Sequence, residues 1–173
     1  NRYQLLAVKG SLFLQVNNFS GEPALVPVMD ELAAAVLARQ KTAPPLPIWD
    51  HLPREGRIAG SEFLFRGRFA LEPVFTFGPG DVLQIEGRAL GAGARYTGDD
   101  GHDYRRLAIV YPDAESAGRA LAHLQQNLDP YLDVVARSEQ DLVFADYAGR
   151  FGYLERHGAR LDGAIGLPEP PAR

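Results

Sequence analysis

The sequence predicts an α+β domain, with helices packed on an antiparallel sheet. Short segments carry apolar residues at period two, two segments carry them at helical spacing, and clusters of Gly, Asp and Pro separate the strand-like runs. The strand segments are 63–71, 89–97, 104–111, 141–147 and 150–156, and the helices are 25–39 and 114–128.

Taken in order, "YQLLAVKGSLFLQVNN" reads as two short strands around Lys9-Gly10. Leu12, Leu14 and Val16 alternate there with Phe13 and Gln15. Leu25, Val28, Met29, Leu32 and Val36 then fall at helical spacing, with Pro27 in the first turn, where its missing N–H costs little. The Pro-rich stretch 42–53 can form neither a regular helix nor a central strand and reads as a connector, with Trp49 available to pin it to a core.

Phe63, Phe65, Phe69 and Leu71 alternate with Glu62, Leu64, Arg66 and Arg68, the pattern of a half-buried strand. "FGPGD" breaks it, and 81–86 reads as a short helical turn. Residues 103–111, "DYRRLAIVY", look buried on both faces at their centre. A helix follows, with Asp113 as N-cap, Glu115 in the first turn, and Ala117, Ala120, Leu121, Leu124 and Leu128 as its apolar stripe. Asp129-Pro130 ends it. Two strands around Ala148-Gly149 come next, and 168–173 reads as a poorly ordered tail.

Setting Gly10 on Gly149 aligns Leu5 with Phe144, Leu12 with Phe151 and Leu14 with Tyr153. This echo suggests a tandem half-repeat whose first half is incomplete. The expected organisation is therefore a strand–strand–helix tail of a first half-unit at 1–40, a connector at 41–60, a second α+β half-unit at 61–160 and a C-terminal tail at 161–173.

At 173 residues, 46% hydrophobic and 23% charged, the chain has the composition of an ordinary globular protein. Its net charge of -4 argues against a general nucleic-acid partner, which calls for a positive field. With no cysteine, thiolate catalysis, disulfides and cysteine metal sites are excluded. No apolar run reaches the roughly 20 residues of a membrane helix. The only methionine is Met29, so the chain is expected to be a processed product or a fragment.

The nearest approach to a chemical motif is "GRALGAGARYTGDDG" at 87–101. A dinucleotide fingerprint needs a third glycine where Tyr96 stands, and a helix after it where a turn follows. A phosphate loop needs a lysine, and none is near. The run therefore reads as a strand, Leu90, Ala92, Ala94 and Tyr96 alternating with Gly91, Gly93 and Arg95, and the glycines let another element approach closely.

Asp99, Asp100, His102 and Asp103 are candidate metal ligands, since carboxylates and an imidazole share one loop. Their spacing matches no calcium loop, and Asp and Gly also suit a hairpin turn. His51, His123 and His157 are scattered, and no serine sits in a nucleophile elbow. Arg66, Arg68, Arg105 and Arg106 would form a basic stripe if their strands paired, or else belong to solvated strand faces. No catalytic residue and no cofactor site is assigned.

"KGSLFLQVNNF" followed by a helix, the connector ending in Leu52-Pro53 with Gly56 and Ser61, "ARY", "LAIVYPDAESAGRAL" and the strand pair around Gly149 span most of the chain. Together they resemble a family of bacterial proteins classed as a domain of unknown function, largely exported or lipoprotein-like and built of two related half-units. The resemblance implies a repeat fold and an extracytoplasmic address, periplasmic or lipid-anchored, and carries no activity. The resulting expectation is a non-enzymatic binding or structural module of the bacterial cell envelope, with an envelope protein or small molecule as partner. The alternatives are a metal-dependent or hydrolytic enzyme using 99–103, and small-ligand binding on a sheet face at Phe63, Phe65 or Tyr96.

Overall fold

A computed structural model describes residues 1–10, 12–41 and 46–171. Its contacts divide the chain into two units, Asn1–Leu46 and Pro47–Arg173.

In the first unit, β1 (Gln4–Lys9) and β2 (Leu12–Asn17) form an antiparallel hairpin, and a 3₁₀ turn at Pro23–Leu25 leads into α1 (Val26–Ala38). Gly10 takes the positive φ of 61° that the tight turn demands. Met29 and Ala33, one helical turn apart, are its buried helix residues. Asn18 is the buried polar residue: its amide donates to the Arg2 and Glu22 carbonyls, and its Oδ1 accepts from Ser20 and from the Gly21 N–H. A buried amide satisfied on both sides fixes the path from β2 into the helix.

The second unit holds a seven-stranded antiparallel sheet. Its strands are β3 (Phe63–Phe65), β4 (Leu90–Thr97), β5 (Asp103–Val110), β6 (Asp133–Arg137), β7 (Asp141–Ala145), β8 (Phe151–His157) and β9 (Arg160–Leu167), in the spatial order 3-4-5-9-8-7-6. After β5 the chain crosses one face through α3 (Ala114–Gln126) to the far edge, and β6 to β9 return strand by strand to pair with β5. Asp113 caps α3 by accepting the Ser116 N–H at 2.7 Å, and that bond holds its carboxyl below the usual carboxylate range.

Ala117, Ala120, Leu121 and Leu124 of α3 are fully buried against Leu107, Ile109, Leu142, Leu154 and Leu161 of the sheet. Tyr111 joins this core and donates to the Leu83 carbonyl at 2.6 Å; burial raises its hydroxyl pKa well above normal. The opposite face is covered over β4 and β5 by a 3₁₀ turn at Pro47–His51, where Ile48 and Leu52 pack on Ala92, Ala94, Tyr96 and Ala108, with Trp49 beside them. The connector from Pro47 onward is thus part of the second unit, while 42–45 lie outside the described residues. Among the described residues no helix is long and apolar enough to cross a membrane.

The glycine run is strand β4, as its alternation indicates, and its glycines accept rings. Gly91 lies opposite Phe65 and Gly93 opposite Phe63, each ring occupying the space of the missing Cβ. Leu107, Ala108 and Ile109 are buried on both faces of β5, as read.

Four expectations need correction. The strand expected at 63–71 stops at Phe65; after Gly67 the chain makes the short helix α2 (Arg68–Leu71), which buries Leu71, exposes Phe69 and brings Arg68 within 3.9 Å of Glu72. The helical turn expected at 81–86 is a non-helical turn in which the Asp81 carboxylate accepts the N–H groups of Ile85 and Glu86. β6 was not anticipated. Residues 161–167, assigned to a tail, lie in β9 at the middle of the sheet; 172–173 are outside the described residues.

The Gly10–Gly149 echo extends to two hairpins with positive-φ glycines and then stops. The first continues into a helix, the second into β9.

Candidate functional site

The loop proposed for metal binding is the β4–β5 turn. Asp100 Oδ1 accepts the His102 N–H at 3.0 Å, and its other oxygen lies 3.1 Å from His102 Nδ1; the backbone bond foremost lowers its pKa. Asp103 spends both oxygens on its own hairpin, one on Arg95 at 2.5 Å and one on Thr97 at 3.0 Å, and the Arg95 bond foremost lowers its pKa. Asp99 is exposed in the turn. Among the described residues, no three His, Asp or Glu side chains are grouped to hold a metal ion. Titration with zinc or calcium is therefore expected to give no saturable heat and no rise in melting temperature; a ligand that bound only the folded state would raise it by mass action.

The four arginines do not form a stripe. β4 separates β3 from β5, Arg68 is in α2, and the adjacent Arg105 and Arg106 face opposite sides of the sheet. Phe63, Phe65 and Tyr96 are taken up by packing, and Tyr96 also donates to the Pro53 carbonyl at 2.7 Å.

Two histidines that look scattered in sequence flank one ion pair, Arg160–Asp162, on the sheet face opposite α3. Arg160 grips Asp162 through two nitrogens at 2.7 Å and touches His51 Nδ1 at 3.0 Å, while His157 lies 3.5 Å from Glu155 and 3.9 Å from Asp162. Arg160 and Asp162 pair with each other, and His157 and Glu155 are about half exposed. The cluster has the character of a surface ion-pair network rather than of a poised acid and base. His123 Nδ1 lies 3.0 Å from the Val82 carbonyl and anchors α3 to the 78–89 segment.

A groove at the open end of the β6–β7 pair has a different character. Asp133 pairs with Ala145, and beyond this last pair Tyr131 lies in the turn before β6 and Tyr147 in the turn after β7. Both rings stand in solvent, at 76% and 89% exposure, although a tyrosine ring gains by burial. Between them runs a groove of about 670 Å³ lined also by Phe75, Thr76, Asp129, Leu132 and Asp146.

The floor is rigid. Phe75 stacks edge-on to Phe77 at 4.8 Å and lies 5.7 Å from Phe144. Asp129 and Asp146 each use Oδ1 to accept backbone N–H groups of their own turns, the first from Tyr131, the second from Ala148 and Arg150. Each Oδ2 is left without a protein donor among the described residues. By contrast, a crevice of about 20 Å³ beside Leu71, Phe77 and Val82 has room for about one water molecule.

An apolar floor, two flanking rings and a few fixed acceptors make a ligand groove of ordinary dimensions. Sequence reading missed it. Tyr131 and Tyr147 are sixteen positions apart and belong to no motif; the β6–β7 pairing brings the turns that carry them to one groove.

No protein-family model matches the chain, and no curated protein and no solved structure matches it, so its function has to be read from its own residues.

Proposed function

We propose that this chain is a non-enzymatic binding module, and that the Tyr131–Tyr147 groove receives a neutral saccharide. The observation that carries this reading is the pair of solvent-exposed tyrosines lining one groove with Phe75 and Leu132. Aromatic rings stack on the apolar faces of pyranose rings, and carboxylate oxygens accept their hydroxyl protons. Asp129 and Asp146 disfavour phosphate or carboxylate in the same place, consistent with the overall net charge of -4 and against a nucleic-acid partner.

Cleavage of a glycosidic bond would need one carboxyl group positioned as a proton donor and another as base or nucleophile. Asp129 and Asp146 instead organise their turns, which suits holding a ligand rather than cutting it. The sequence resemblance supports, as part of this proposal, an extracytoplasmic address in the bacterial cell envelope.

Calorimetry with soluble cello- and chito-oligosaccharides tests this reading. Tyr131→Ala and Tyr147→Ala are each expected to weaken binding by about tenfold or more, the loss of roughly one stacking contact. Both side chains are exposed, so the melting temperature should stay unchanged. Unchanged affinity in both variants would sink the proposal.

A further inference from the structure

A second cavity, of about 470 Å³, lies at the opposite end of the β6–β7 pair, between its turn and α3. Two arginines line it. Arg137 lies opposite Leu142, which lies opposite Leu154, and Arg156 is two residues beyond Leu154; all four therefore share the face that α3 covers. Among the described residues, neither arginine has a carboxylate within ion-pair distance, although Glu139 stands on the cavity rim.

Arg156 is the stranger of the two. Its Nη1 reaches only the Ala114 carbonyl, at 3.4 Å, and its Nε is buried with no hydrogen-bond partner. Gly118 of α3 leaves room for the guanidinium: a Cβ there would sit 3.2 Å from Nη1. A partly desolvated guanidinium without counter-charge is costly, and a planar fork of donors matches an oxyanion. Leu121 and Ala122 of α3 give the same cavity an apolar wall. Gln125 braces the turn by donating to the Ser138 and Asp141 carbonyls, at 2.8 and 3.0 Å.

The geometry points to a binding site for a small organic carboxylate, its charge held between Arg156 and Arg137 and its hydrocarbon body against Leu121 and Ala122. This site is separate from the tyrosine groove in both place and chemistry.

Benzoate titrated into the full chain at low salt is the direct test. Saturable binding is expected, weaker by tenfold or more in Arg156→Gln and in Arg137→Gln, and unchanged in Arg88→Gln, a charge-matched control outside the cavity. Arg137 is exposed, so its variant reports on the site even if Arg156→Gln disturbs folding, which a thermal melt will show. Inorganic phosphate, with no body for the apolar wall, is expected to bind more weakly. Absence of saturable benzoate binding up to ~10 mM, equal affinity in parent and both arginine variants, or phosphate binding as tightly as benzoate would each overturn the assignment.

Discussion

Replacing Gly163 by alanine is expected to cost the second unit at least ~3 kcal/mol and to lower its melting temperature by on the order of 10 °C. Gly163 sits in β9, between Leu107 of β5 and Leu154 of β8, with strands hydrogen-bonded on both sides. A Cβ at this position would overlap the backbone carbonyl oxygen of Tyr153 and come within 2.5 Å of Leu154 Cδ2. A side chain could swing away; a carbonyl in a ladder cannot move without loosening the ladder. The cost therefore lies at the upper end of overpacking. Thermal melts followed by circular dichroism decide it. An alanine variant that melts with the parent would mean that β9 does not lie where it is described.

The second large effect is at Gly91, and there the neighbour can be removed. A Cβ at 91 would overlap the ring of Phe65, which is 1% exposed and stacked 5.9 Å from Phe63. Gly91→Ala is expected to cost ~2–3 kcal/mol by overpacking, and Phe65→Ala ~3–5 kcal/mol through the cavity it leaves. In the Phe65→Ala background the clash is gone, so Gly91→Ala becomes close to neutral. The two substitutions should therefore couple by ~2 kcal/mol in a double-mutant cycle measured by urea unfolding. Strictly additive costs would contradict the ring-over-glycine packing.

These two glycines also mark what the sequence could disclose. Gly91 lies in an alternating run whose apolar positions, Leu90, Ala92, Ala94 and Tyr96, announce a strand, so the glycines on its other face could be read as a place for close approach. β9 carries Gly163 and Gly166 together with Asp162, residues that disfavour strands in isolation. It is a strand because β5 and β8 supply both ladders, which is tertiary information. β6 escaped notice because a bulge between Val134 and Ala136 breaks its period of two.

The segment 66–71 misled in the opposite direction. Alternating aromatic and charged residues fit a strand, but Gly67 interrupts it and Leu71 reaches the core from a helical turn. Helix α3 was legible from its cap through Leu124 because cap, first-turn acid and stripe agree, but it ends at Gln126, before the Leu128 assigned to it.

The site was far less legible than the fold. Asp99, Asp100, His102 and Asp103 drew attention as chemically rich neighbours in sequence, yet two of the carboxylates hold the turn together. The groove and the arginine cavity are built from residues far apart in the chain, brought together by the pairing of β6, β7 and β8. Neither Tyr131 with Tyr147 nor Arg137 with Arg156 has a spacing that a motif could record.

The central claim, that the tyrosine groove is a saccharide-binding site, is tested most directly by nuclear magnetic resonance titration of the full chain with cello- and chito-oligosaccharides. The predicted result is saturable shifts concentrated at Phe75, Thr76, Asp129, Tyr131, Leu132, Asp146 and Tyr147. Shifts that gather elsewhere, or none with any of these sugars at millimolar concentration, would contradict it.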